Sequence, residues 1–196
     1  SGFAEAEMLS MAKNPEEIAK PVALLVGGDL SGVQDFIYTI SSRGAASALR
    51  GRSFYLQILT AALVRFILGR LELPYTNLIY AGGGHFYLLA RSSDAAALTD
   101  LQRQISRVLL DAHHGDLYLA LGWLELSGKD FFAGRISEAW EGVSLRLRRA
   151  KQRRFAELGD DLARVFVPQG HGGNEEKLFQ VGGQGNPGTS GEEKKG

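Results

Sequence analysis

The chain has 196 residues, room for one domain with flexible ends, and 44% of them are apolar, enough for a core. Lys+Arg and Asp+Glu both number 22, so no overall field draws it to nucleic acid or membrane, and such contacts must come from local clusters. The absence of cysteine excludes disulfides, thiol catalysis and cysteine-held zinc, and is compatible with a reducing cytoplasm.

Residues 1–20 scatter Glu5, Glu7, Glu16 and Glu17 among alanines, without a basic, apolar leader, and read as a linker. Pro21 to Val26 is a short apolar run ended by Gly27-Gly28, which predicts a strand buried on both faces. Asp29 to Gln34 follows as a turn, and Val33, Phe36, Ile37 and Ile40 have the spacing of a short helix. Ser47 to Leu71 predicts a long helix, with Tyr55, Leu59, Ala62, Phe66 and Gly69 on one stripe and Leu56, Leu63 and Ile67 beside it. Its apolar stretch, Phe54 to Leu68, is broken by Gln57 and Arg65 and is expected in a core, not across a membrane.

Asn77 to Ala81 and Phe86 to Ala90 predict two strands joined by the hairpin Gly82-Gly83-Gly84-His85. Ser93 is placed to cap the next helix, whose stripe is Leu98, Leu101, Ile105, Val108 and Leu109 and whose end is His113-His114-Gly115. Leu117 to Leu126, apolar at nearly every position, predicts a central strand. A last helix, from about Gly134 to Leu158, carries Ile136, Trp140, Val143, Leu147 and Ala150 on one stripe. Residues 169–196 then hold nine glycines and almost no aliphatics, so 168–196 is expected to be a disordered tail. The order is β-α-β-β-α-β plus a C-terminal helix. It predicts an α+β, ferredoxin-like domain over 21–167, an antiparallel sheet with helices on one face. That fold names no function by itself.

Four segments carry chemistry. Gly27 to Gln34 leaves backbone N–H groups free for a phosphate, and Asp29 suits Mg²⁺; the competing reading is a tight turn capped by Ser31 or Asp29. It is not a P-loop. Gly82 to His85 lies beside it, because strands one and three are neighbours in this topology. Palm-type polymerases and cyclases carry carboxylates at both points to hold two metal ions. Here the second point has none, so these residues do not complete a two-metal site. Leu49-Arg50-Gly51-Arg52-Ser53 offers two guanidinium groups to phosphates, or simply two solvated arginines. Arg146 to Arg154 has six basic residues in nine, with Arg146, Arg149 and Arg153 on one helical face; it suits an RNA backbone, or a solvated face complementing the helix dipole. The histidines show no metal spacing, and only His85 is placed to face a ligand.

Gly28 to Tyr38, Leu49 to Leu56 and Tyr80 to Leu89, in this order and context, resemble the large, palm-containing subunit of type III CRISPR–Cas complexes, in its Csm-type branch. Lys151 to Leu158 is similar to that family's segment after the last palm helix, and the resemblance covers roughly residues 21–170. It implies two palm domains facing each other with ATP at their interface. The second palm has a Gly-Gly-Asp-Asp hairpin that directs metal-dependent synthesis of cyclic oligoadenylates. An HD domain cuts single-stranded DNA, and target RNA paired to guide RNA triggers both activities. This chain resembles the first palm only.

By that resemblance Asp29, Leu30, Ser31, Gly32, Gln34, Gly82, Gly83, Gly84 and His85 would line an ATP pocket, with Arg50, Arg52 and Ser53 as further contacts. Mg²⁺ or Mn²⁺ would enter only with the partner palm, Asp29 being the sole candidate ligand here, and no residue is expected to be catalytic alone. Implied partners are the second palm, other type III effector subunits, and guide and target RNA, in the cytoplasm and without a membrane. The alternatives are a scaffold or RNA-contacting module resting on Arg146, Arg149 and Arg153, and a self-sufficient cyclase, against which the missing hairpin acids argue. Many relatives carry a Cys-x-x-Cys zinc element soon after this palm; Phe179 to Gly182 stands near that place without cysteine, and the low-complexity ending is what a truncated chain would have.

Overall fold

The computed structural model describes residues 14–38, 45–131 and 135–166. The expected tail, 168–196, lies outside them. Within the expected linker, Pro15–Ala19 forms a one-turn helix, α1. The Asn14 side chain accepts a hydrogen bond from Glu16 N at 3.0 Å, and Ile18 packs on Gly128.

Strand β1 runs Pro21–Ser31, well past the expected end at Gly28. It is followed by the short helix α2 (Val33–Tyr38), the long helix α3 (Ala45–Arg70), strands β2 (Leu78–Gly82) and β3 (His85–Ala90), helix α4 (Ala95–His113), strand β4 (Tyr118–Ser127) and helix α5 (Ile136–Gln152). All pairings are antiparallel, in the order β2-β3-β1-β4. This is the ferredoxin-like order, with β1 and β3 adjacent as the topology requires.

Side chains alternate across β1, so one strand feeds two cores. Leu24, Val26 and Leu30 join α3, α4, Phe86, Leu88 and the odd residues of β4 in one cluster. Leu25 joins Tyr118, Ala120, Val143, Leu147 and Phe155 in the other, beneath α5. The two helices of the repeat thus share one face, and the added C-terminal helix covers the opposite one. Burying Val143 and Leu147 there contributes roughly 1.5–3 kcal/mol each.

This arrangement corrects four expectations. Gly27 and Gly28 do not end β1; they leave room for what crosses it. A Cβ on Gly27 would lie 2.7 Å from Val143 Cγ1, and one on Gly28 would lie 2.1 Å from Phe86 Cζ. Strand β4 is an edge strand, apolar on both sides because helices cover both faces. On α3 the buried stripe is Leu56, Thr60, Leu63, Val64, Ile67 and Leu68, while Phe66 is 42% exposed. By length and composition 46–70 is apolar enough to cross a membrane, and one face of it packs on the sheet. Ser93 does not cap α4: Ser92–Asp94 form a 3₁₀ turn in which the Asp94 carboxylate accepts from Arg91 N at 2.9 Å, and α4 itself starts without a side-chain cap.

A buried polar network closes the α5 side. The Gln102 side chain donates to Leu119 O and accepts from Leu121 N, both at 2.8 Å. Gln102 and Ser106 also donate to the Glu157 carboxylate, which ties the 3₁₀ segment Ala156–Phe166 to α4. Burial first, then Glu157, pushes the Tyr118 hydroxyl's pKa up.

Gly28→Ala should cost about 1–3 kcal/mol, because the new methyl meets a fully buried Phe86 ring with no room to retreat. Urea denaturation checks this; an unchanged midpoint would contradict the packing described.

Candidate functional site

Asp29 occupies the odd-numbered face of β1, under α5, and keeps only 6% of its surface exposed. Its register partner on β3 is His85, the first residue after the hairpin turn. That turn is Gly83-Gly84, with φ of +61° and +83°, the left-handed pair that a two-residue hairpin demands. The turn ends β2 and delivers the His85 ring to Asp29, with Nε2 3.1 Å from Oδ2. Nδ1 of the same ring lies 3.2 Å from Gly83 O. Both ring nitrogens therefore face acceptor oxygens.

Lys151, from the last turn of α5, forms a third element of the site: its ammonium pairs with Asp29 Oδ2. Sequence reasoning does not single it out. Val143, Leu147 and Lys151 continue one helical stripe at intervals of four, so a cation appears where the pattern points inward. That is the pattern from which a buried acidic partner can be inferred.

Asp29 Oδ1 and Ser31 Oγ are buried and meet no hydrogen-bond partner among the described residues. Asp29, Leu30 and Ser31 belong to β1, not to a turn. They pair with Ala120, Leu119 and Tyr118 of β4, and Leu30 points into the opposite, apolar cluster. Leu30 N donates to Gly84 O at 2.8 Å, which fastens the hairpin to the end of β1. The turn proper is Gly32, at φ +88°, where a Cβ would lie 1.7 Å from Asp116 O. Gln34 is exposed on α2.

The structure thus joins Asp29, Ser31, the glycine hairpin and His85, and adds Lys151. It places the Arg50–Ser53 segment with α2. The Arg52 guanidinium donates to Phe36 O at 2.5 Å and lies 5.4 Å from the Phe36 ring centre, while Arg50 is exposed. Phe36, Tyr55 and His113 form a ring cluster on that side, with Tyr55 O–H and His113 Nε2 2.9 Å apart. Burial, the largest influence, lowers the His113 pKa against the opposing pull of Asp116. Arg146, Arg149 and Arg153 are exposed along α5, and none of their side chains has a hydrogen-bond or ion-pair partner among the described residues.

The Asp29 site does not fit a divalent ion held by this chain. One carboxylate stands there, its Oδ2 taken by two nitrogen groups, and among the described residues no three His, Asp or Glu side chains gather into a ligand set.

The family model for Csm1 subunit domain B matches residues 22–168. The chain belongs to that family. It is 35% identical over 146 residues to the CRISPR system single-strand-specific deoxyribonuclease Cas10/Csm1 (subtype III-A) of Methanocaldococcus jannaschii, covering 69% of this chain and 18% of that one. Among solved structures it is similar to a Csm1 chain of a Csm1-Csm4 cassette in complex with cA4, at TM-score 0.68 and 33% identity over 80% of this chain and 22% of that one. The same figures describe the cassette in complex with AMPPNP. The chain spans about a fifth of the length of the curated relatives it matches. Its fold is that of the Csm1 palm region.

Lys151→Met would leave Asp29 with His85 alone. It should destabilise the chain by up to about 3 kcal/mol, less than for a fully buried pair because Lys151 keeps about a third of its side chain in water. Adding Asp29→Asn should restore most of that loss. A double-mutant cycle by thermal denaturation measures it, and strictly additive effects would mean the pair is not coupled.

Proposed function

We propose that this chain is the first palm of a type III CRISPR effector large subunit. It supplies one half of an ATP-binding site for cyclic oligoadenylate synthesis in antiviral defence, and is not catalytic alone. The observation that carries the reading is Asp29 of β1 held beside a glycine hairpin that presents His85 where a second carboxylate would be needed. Solved chains similar to this one were captured with AMPPNP, with one ATP and with cA4. In this reading Asp29, Ser31, Gly32, Gln34 and Gly82 to His85 line the nucleotide, Arg50 and Ser53 approach it from α3, and the second palm brings the acidic hairpin and its metal ions. The partners are then that palm and other effector subunits, as Csm4 is for the similar chains.

Isolated, the chain should bind ATP weakly and make no cyclic oligoadenylate. NMR shift mapping with millimolar ATP and Mg²⁺ should move resonances at residues 29–34 and 82–85. Product formed by the chain alone would sink the half-site.

A second reading, a scaffold or RNA-contacting module, is favoured by one observation: the exposed stripe of Arg146, Arg149 and Arg153, unpartnered among the described residues. If it holds, the triple change to Glu abolishes binding to single-stranded RNA in a filter assay at low salt. Unchanged binding excludes it.

A further inference from the structure

Palm sites that hold metal ions do so with carboxylates whose oxygens are open to the ion. Asp29 is a carboxylate at that place without an open oxygen. Oδ2 faces the Lys151 ammonium and His85 Nε2, and Oδ1 is enclosed without a polar partner. A divalent cation approaching it would meet two nitrogen groups at Oδ2, one of them an ammonium that repels it, and an Oδ1 closed off from solvent. No other group can make up the set among the described residues.

The same geometry suits an anion. Lys151 is anchored at its Asp29 end yet keeps 34% of its side chain exposed, so its ammonium has N–H donors left for a phosphate, while both nitrogens of His85 are taken by Asp29 and Gly83 O. Lysine is a point-charge donor for phosphate, and one fixed by a buried carboxylate is already ordered before the phosphate arrives. The Ser31 hydroxyl, buried and unpartnered two residues along the same face, has a donor to give to an acceptor oxygen.

We infer that Lys151 stands in the place of a metal ion, so that this half-site takes a nucleotide's triphosphate through the Lys151 ammonium, with His85 holding Asp29 in place and no divalent cation held by the chain. The inference rests on the nucleotide-binding reading above. It assigns Lys151, a residue outside the hairpin and the β1 segment, as the cation that distinguishes this half of the pocket from a metal-bearing one.

The test is a pair of NMR titrations on the whole 196-residue chain. ATP is added once with Mg²⁺ and once with excess EDTA, and Mn²⁺ is added alone as a paramagnetic probe. Equal ATP affinity in both buffers, with no Mn²⁺ broadening centred on Asp29, is the expected result. ATP binding that needs Mg²⁺, or Mn²⁺ broadening at Asp29, overturns the inference and leaves the nucleotide-binding reading standing. No ATP binding in either buffer counts against both. Lys151→Gln, which keeps the side-chain stem and a donor, should weaken ATP binding by about tenfold or more and open Asp29 to Mn²⁺. The two wild-type titrations decide the question even if that variant does not fold.

Discussion

A carboxylate taken out of water loses several kcal/mol of hydration, and a fold that buries one must return that loss with charge and hydrogen bonds from elsewhere. Asp29 sets this demand near the end of the inner strand β1. Its two compensating groups come from parts of the chain that nothing else brings together: His85 from the β2–β3 hairpin and Lys151 from the end of the last helix. The tight glycine turn, the alignment of β3 on β1 and the position of α5 over the sheet are all needed to satisfy one side chain. A site built this way is rigid before any ligand arrives, because relaxing any of the three elements exposes an uncompensated charge.

The rest of the architecture comes from β1 being buried on both faces. One apolar surface packs on α3 and α4, the other on α5, and the glycines at 27 and 28 are sized by what lies against them. Phe86 crosses over Gly28, while Val143 and Leu147 press on Gly27. The polar network of Gln102, Ser106 and Glu157 then fastens the segment after α5 back onto α4. The helix carrying Lys151 is therefore held twice, by its own apolar stripe and by the anchored 3₁₀ segment at its C-terminal end.

Much of this was legible in the sequence. Periodicity gave the order of elements, and the topology it implied made β1 and β3 neighbours, hence Asp29 and His85. What misled was glycine. Gly27-Gly28 has the composition of a turn, and only its neighbours, Phe86 on β3 and Val143 on α5, reveal that it is a close approach inside a strand. The face of α3 was misjudged for a related reason: the helix is apolar around much of its circumference, so the stripe chosen by the sheet, Leu56 to Leu68, is not distinguishable from the one bearing Phe66 by spacing alone. Strand β4 looked central because its residues are apolar on both sides, a pattern that reports covering helices and not strand position. Lys151 went unnoticed because its neighbours, Arg146 to Arg154, read as one solvated basic run; its partner lies more than a hundred residues away.

The alternation along β1 has a consequence for how such a chain can vary. Asp29 and Leu30 point to opposite sides of the sheet, so inserting or deleting a single residue between the start of the strand and Asp29 would turn the carboxylate into the apolar cluster and offer Lys151 a glycine or a leucine in its place. A change of two residues keeps the parity but slides Asp29 off His85. Length drift in this domain should therefore collect in the connections, while β1 keeps a fixed count of residues even where their identities change.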